Sequence, residues 1–352
     1  MRGKNRTYNP FRAIPIVDPK EVLDSAIKKA LSLSPPKVKK NGLKRAKIAI
    51  LNRIQYICDI LVSKFSLIIN ATPNLNRLDK FYLSILNVYS DVNVFKRLLG
   101  RISGSIKVIK KLSNEYKKAV RSINSSPYLH EKVAIKQVHR LWCQYLARIS
   151  SFIEKIEDAF KNLGSIITRL KKLPDYNPEL KTIVVCGPPN SGKSSLVGAL
   201  SNARVEIAEY PFTTKNLIFG HISLDTVPPI VLQIVDSPGL FDRPVDRRKK
   251  EELLALEAIR TIANCIVFLF DCSHERTLDL KQQVRIFETV KGFFRGEKII
   301  VAINKVDVND EEFAKRALDY LNARDMRPIF ISAKYKLGLD KLLIEIKKYL
   351  VG

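Results

Sequence analysis

The chain has 352 residues, 46% hydrophobic and 27% charged, enough for a packed core and two domains and too apolar for a disordered tail. Its formal charge is +26, with 35 basic and 13 acidic side chains in residues 1–180 against 26 and 22 in residues 181–352, so the first half carries +22 of it. Five scattered cysteines without a C-x-x-C pair argue against a zinc ribbon or disulfide framework, and no uncharged apolar run approaches the ~18–20 residues of a membrane span. A cytoplasmic chain without a membrane partner is expected. A first half this basic is the electrostatic footprint of a domain that meets a polyanion.

Residues 1–17 read as an extended basic arm. Arg2, Lys4, Arg6 and Arg12 alternate with Tyr8, Phe11, Ile14 and Ile16, and Pro10 and Pro15 forbid a helix. Such an arm can track a nucleic-acid groove or pack across its own domain. Asp18 as N-cap, Pro19 at the first helical position and Glu21 three residues on predict a helix to about Leu33. Beyond Ser34-Pro35-Pro36, the residues Lys37, Lys39, Lys40, Lys44, Arg45 and Lys47 form the densest basic cluster and are the candidate RNA contacts. Further helices are expected over about 43–69, 78–89 and 91–124, the last carrying Lys107, Lys110, Lys111, Lys117 and Lys118. The longest runs from about Pro127 to Leu173, some ~65 Å, with apolar residues every three to four positions from Val138 to Leu170. Residues 18–173 thus read as an antiparallel helical bundle, and 174–180 as a linker.

From Lys181 short apolar strands alternate with helices, the pattern of an α/β fold with a mostly parallel sheet. Six strands are predicted: Thr182–Cys186, Leu217–Leu224, Ile230–Val235, Cys265–Phe270, Lys298–Ile303 and Pro328–Ile331. Pro228-Pro229 suggests a hairpin, so one strand should be antiparallel. Helices are expected from about Lys193, Lys249, Leu278, Asp310 and Leu339, on both faces of the sheet.

The first strand leads into Gly187-Pro188-Pro189-Asn190-Ser191-Gly192-Lys193-Ser194-Ser195. Strand, glycine-bearing loop, then Lys-Ser opening a helix is the phosphate-loop pattern. The glycines let backbone N–H groups turn inward, and the helix N-terminus adds positive charge. Lys193 would reach the outer phosphates and Ser194 would sit on Mg²⁺. Asp236-Ser237-Pro238-Gly239 follows a strand, which suits Asp236 for the metal shell and the Gly239 N–H for the outer phosphate. Asn304-Lys305-Val306-Asp307 suits guanine: a carboxylate at Asp307 accepts from both the ring N1–H and the exocyclic amine, which adenine lacks. Asn304 can bond the other edge, the Lys305 stem can cover the base, and Ser332-Ala333-Lys334 can direct a backbone N–H at the guanine oxygen. Thr213 or Thr214, in Tyr210-Pro211-Phe212-Thr213-Thr214-Lys215, can complete the metal shell; Thr214 is the candidate. That makes the segment a nucleotide-sensitive switch.

With these motifs in this order, residues 181–352 resemble the translation-factor class of GTPases and its Obg-related branch. The whole chain is similar to the nucleolar GTP-binding protein family of large ribosomal subunit assembly. The similarity is carried by Phe212-Thr213-Thr214-Lys215, Gly220-His221, the 236–242 stretch, Pro73-Asn74-Leu75, Phe81-Tyr82 and Leu173-Pro174. It implies GTP and GDP as ligands with Mg²⁺, and ribosomal RNA, the pre-ribosomal large subunit and other assembly factors as partners of a protein monomeric off the ribosome. Eukaryotic members run well past the GTPase domain, so a compact archaeal-type member is expected. Leu240 stands where many GTPases have a water-orienting glutamine, which implies a low intrinsic rate, stimulated by the particle or by K⁺. Asn190 occupies the place where related enzymes coordinate K⁺; it serves that role or braces the loop. Lys193, Thr214, Gly239 and Asn190 are the catalytic candidates. A GTP-dependent RNA scaffold with incidental hydrolysis is the alternative.

Overall fold

The computed structural model describes residues 8–33, 42–124, 131–201, 206–208, 217–226, 228–237, 250–308 and 310–350, which divide into two compact units. One comprises Pro10–Asn74 and Ser90–Lys171; the other holds Leu75–Tyr89 and Lys172–Gly352, with Asn9 of the arm.

The first unit is built from α1 (Pro19–Ser32), α2 (Gly42–Ala71), α4 (Val92–Ser122) and α5 (Glu131–Lys171). Asp18 caps α1 by accepting from the N–H groups of Lys20 and Glu21 at 2.8 and 3.2 Å. Along α5 the apolar seam from Val138 through Ile149 and Phe160 to Leu170 is buried throughout. Phe65 of α2 meets Phe160 of α5 with ring centroids 4.6 Å apart. The start of α2 meets the start of α5, where Glu131 accepts from the Leu43 N–H at 2.9 Å. It also meets the end of α4, where the Lys47 ammonium donates to the Arg121 and Ile123 carbonyls at 2.8 and 2.5 Å. At the far side Lys20 of α1 pairs with Glu157 of α5 at 2.7 Å. These contacts set α1 and α4 running one way and α2 and α5 the other, an antiparallel bundle. By length and composition α2 could cross a membrane. It buries Ile50, Ile54, Ile57, Leu61 and Phe65 against its neighbours, as a core helix does. Within the arm, Phe11 and Ile14 are also fully buried.

The helix expected over 78–89, α3 (Lys80–Tyr89), leaves the bundle and packs in the second unit against α7 (Lys250–Ile262). Its aromatic residues explain this. Phe81 and Tyr82 are buried, with ring centroids 5.0 and 6.1 Å from Tyr176, and the Tyr82 hydroxyl donates to the Tyr176 carbonyl at 3.0 Å. Nor is the expected linker slack. Asn177 and Gln233 exchange two buried bonds of 2.9 and 2.7 Å, which fasten it to the sheet.

That sheet contains the six expected strands: β1 (Thr182–Cys186), β3 (Leu217–Leu224), β4 (Ile230–Asp236), β5 (Ala263–Asp271), β6 (Lys298–Asn304) and β7 (Ile329–Ile331). A three-residue strand, β2 (Glu206–Ala208), is added at one edge, too short for its apolar pattern to announce it. The order is β2-β3-β4-β1-β5-β6-β7, and β3 is the antiparallel strand. Alternation along β5 sends Cys265, Val267 and Leu269 toward α6 (Lys193–Leu200) and α10 (Leu339–Leu350). Its Phe268 and Phe270 pack on the other face against Phe287 of α8 (Leu280–Phe293), at 5.0 and 5.6 Å. Helix α9 (Glu311–Asn322) flanks α8. Strand order reverses at β1, so the loops after β1, β4, β5, β6 and β7 gather at one end, where α/β sheets bind ligands.

Candidate functional site

The loop after β1 curls because two residues take conformations that favour glycine: Gly187 at φ 153° and Gly192 at φ 89°. A Cβ on Gly187 would lie 2.6 Å from the Leu269 carbonyl, and one on Gly192 would collide with the Asn304 amide. Asn190, exposed at the crown, has φ 61°, a left-handed conformation that asparagine tolerates. Pro188 and Pro189 stiffen the turn between them. Ser191 is fully buried, and its hydroxyl has no hydrogen-bond partner among the described residues. Lys193 opens α6 largely buried, its ammonium donating to the carbonyls of Gly187 and Pro188 at 3.0 and 2.7 Å. The cation is thereby held over the loop that would cradle phosphates. Ser194 and Ser195, the next two residues of α6, are exposed.

Asp236 ends β4 beside Val185 of β1, and this pairing brings it to the helix start. The Ser194 hydroxyl donates to its carboxylate. A hydroxyl and a carboxylate in contact beside a phosphate loop are hard oxygen donors of the kind Mg²⁺ takes. Ser237 locks the turn by donating to the Val185 carbonyl at 2.6 Å. Thr214 and Gly239 lie outside the described residues, as do Thr213, Leu240, Lys37, Lys39 and Lys40.

Asn304 ends β6 and Lys305 follows it, and both make contacts within the chain that the sequence reading did not assign. The Asn304 amide donates to the Ser191 carbonyl at 2.8 Å and accepts from the Ala333 N–H at 2.9 Å. One buried side chain therefore ties the phosphate loop to the 332–334 turn. The Ala333 N–H is engaged by Asn304, and the Ser332 N–H by the Leu337 carbonyl at 3.0 Å. Of the three residues, Lys334 carries the amide not engaged in these bonds. Lys305, at φ 68°, is fixed by an ion pair of 2.7 Å from its ammonium to buried Asp271 at the end of β5. Asp307 is exposed in a short 3-10 turn, free to meet a base from the solvent side.

Sequence reasoning missed the residues that hold this corner. Asp271 also accepts from the N–H and hydroxyl of Ser273, at 3.0 and 2.7 Å. Gln283 of α8, fully buried, accepts from the Asp271 N–H at 2.9 Å and donates to its carbonyl at 3.0 Å. Asp310 caps α9 and is held below the usual carboxylate range by the Phe313 N–H and then Arg276, whose guanidinium lies 2.8 Å away. An Asp closing the apolar run 265–270 was the available signal; Gln283 gave none. Burial pushes the thiols of Cys186, at the end of β1, and Cys272, just after β5, up to about 12.

Of the RNA candidates within view, Lys44 and Arg45 are exposed on the first turn of α2. Lys47 is not free for a ligand, since its ammonium caps the carbonyl end of α4.

Comparison with known proteins finds two family models along the chain. Residues 11–176 match the model described as the NOG1 N-terminal helical domain, and residues 182–305 match that described as 50S ribosome-binding GTPase. An uncharacterized protein of Methanocaldococcus jannaschii is 31% identical over 88% of this chain and 85% of its own length. Nucleolar GTP-binding protein 1 of Drosophila melanogaster is 28% identical over 86% of this chain, and that of Saccharomyces cerevisiae 26% over 85%. The chain spans less than half the length of these two eukaryotic relatives, 44% of each. A helical unit of that type joined to a sheet whose phosphate loop, Asp236 turn and Asn304–Asp307 corner meet at one end places the chain in the nucleolar GTP-binding protein family of GTPases.

Proposed function

We propose that this chain binds and hydrolyses GTP while docked through its helical unit on ribosomal RNA of the large subunit precursor, with the nucleotide state setting binding or release. The observation that carries the reading is the separation of charge. The half without nucleotide motifs bears +22, the half with them only +4. In this reading residues 18–173 with the 1–17 arm are the RNA-binding part and 181–352 the GTPase part.

Each site residue then has a task. The 187–192 loop and the start of α6 hold the phosphates, and Lys193 stabilises charge on the transferred group. Ser194, Asp236 and Thr214 would hold Mg²⁺, which neutralises the outer phosphates when bound. Asp307 selects guanine, with the Lys305 stem beside the base. The Gly239 N–H meets the outer phosphate. Leu240 cannot polarise water, so the intrinsic rate is low, on the order of 10⁻² s⁻¹ or less. Asn190 is the residue through which K⁺ would act.

Multiple-turnover hydrolysis with and without large-subunit RNA or precursor particles tests this directly. Stimulation by the particle, and a lower rate when NaCl replaces KCl at equal ionic strength, are expected. Binding to particles that ignores the choice of GTP or GDP, with no stimulation, favours a scaffold whose hydrolysis is incidental.

A further inference from the structure

Helix α4 carries a charge pattern that its own fold does not use. Between Val92 and Asn114 it has six basic residues, Lys96, Arg97, Arg101, Lys107, Lys110 and Lys111, and no acidic one. All six are exposed. None forms an ion pair or side-chain hydrogen bond among the described residues. The helix buries the opposite face, with Phe95, Leu98, Ile102 and Ile109 turned into the bundle. From Arg97 to Lys111 the cationic face extends ~21 Å at 1.5 Å per residue.

Exposed Gly100 and half-buried Gly104 interrupt this face. Glycine inside an exposed helix weakens it relative to alanine, so its presence calls for a steric reason. The bundle supplies none, because a Cβ at either position would meet nothing within 4 Å. The notch they make gives an outside partner close access to the helix backbone, with cations on both sides.

We propose that the outward face of α4, centred on Gly100 and Gly104, is the surface on which the RNA sugar–phosphate backbone docks. The proposal rests on the RNA-binding reading above and narrows it from the 37–47 cluster to this helix. Charge complementarity selects the occupant: six unneutralised cations in line suit a polyanion. The large exposed hydrophobic residue on this face is Val108, at 43% exposure, and no aromatic accompanies it, so the face lacks the apolar side of a membrane-lying helix.

The test uses the full chain, a labelled large-subunit ribosomal RNA transcript and binding isotherms from ~0.05 to ~0.3 M salt. Replacing Arg97, Arg101 and Lys111 by Gln should flatten the log–log salt slope by about two to three. The pair Gly100→Gln and Gly104→Gln keeps every charge. It should weaken binding by about tenfold or more by filling the notch, while leaving the salt slope and guanine nucleotide affinity unchanged and thermal stability equal or higher. If both variants bind as the parent does while Lys44→Gln with Arg45→Gln loses binding, RNA binding stands and the α4 face is refuted. If the parent fails to bind the transcript, or binds anionic phosphatidylserine vesicles in its place, the RNA-binding reading and this surface fall together.

Discussion

The two units hold their polar residues in opposite ways. In the bundle the polar groups face outward and the helices adhere through apolar seams, with the buried Ser113–Tyr145 bond of 3.1 Å among the internal polar contacts. In the sheet unit the chemistry-bearing end is braced by buried polar side chains: Asp236, Asp271, Gln283 and Asn304. On the proposed function the contrast separates two kinds of recognition. A polyanion is recognised by unneutralised surface charge that needs no precise placement. Phosphate and base recognition needs groups fixed to within fractions of an ångström, and Asp236, Asn304 and Lys305 are each held by a second residue.

The sharpest way to break this comparison is Lys193→Ala. GTP turnover should fall by about 10²–10³ or more, because the cation nearest the transferred group is withdrawn, while RNA affinity measured without nucleotide stays as it was. Filter binding beside a phosphate-release assay checks both; a parallel loss of RNA binding would show that the division is false. Next comes Asp307. The parent should prefer GTP to ATP by at least about 10²-fold, and Asp307→Asn should transfer that preference toward xanthine nucleotide. Equal affinity of the parent for ATP and GTP, measured by calorimetry, sinks the base assignment.

Asn304→Ala probes the bracing. It strands the Ser191 carbonyl and the Ala333 N–H, at a cost of about 2–4 kcal/mol in the sheet unit. Ser113→Ala in the bundle should cost about 1 kcal/mol. Denaturant unfolding followed by probes in each unit compares them, and equal costs would erase the distinction.

The smallest effect concerns the thiols. Burial pushes Cys186, Cys265 and Cys272 up to about 12 from an ordinary 9.0, and all three belong to the sheet unit. The folded chain keeps these protons longer than the unfolded one. Their contribution is therefore complete below about pH 8.5 and is lost as pH rises toward 12. Alkaline titration should loosen the sheet unit progressively over that window. At pH 8 an alkylating reagent should label exposed Cys143 first and these three only after unfolding. Rapid labelling of Cys272 in the native chain would contradict the packing around the 304–307 corner.

The amino-acid sequence by itself determined the local features. The phosphate loop, the Asp236 turn, the Asn304–Asp307 run and the Asp18 cap are each contiguous, and backbone conformation with near-neighbour bonding suffices to specify them. Six strands were legible because each is a buried apolar run bounded by turn residues. The charge division was legible as a count. Only the tertiary structure decided the rest. Asn304 finds Ser191 across 113 residues, Lys47 finds the end of α4 across 74, and Lys305 finds Asp271 across 34. Those partners exist only once parallel strands and antiparallel helices have set the register. The same holds for α3. Its apolar residues suit any helical core, and the choice between bundle and sheet unit was made by Tyr176, more than ninety residues away, offering rings and a carbonyl to Phe81 and Tyr82.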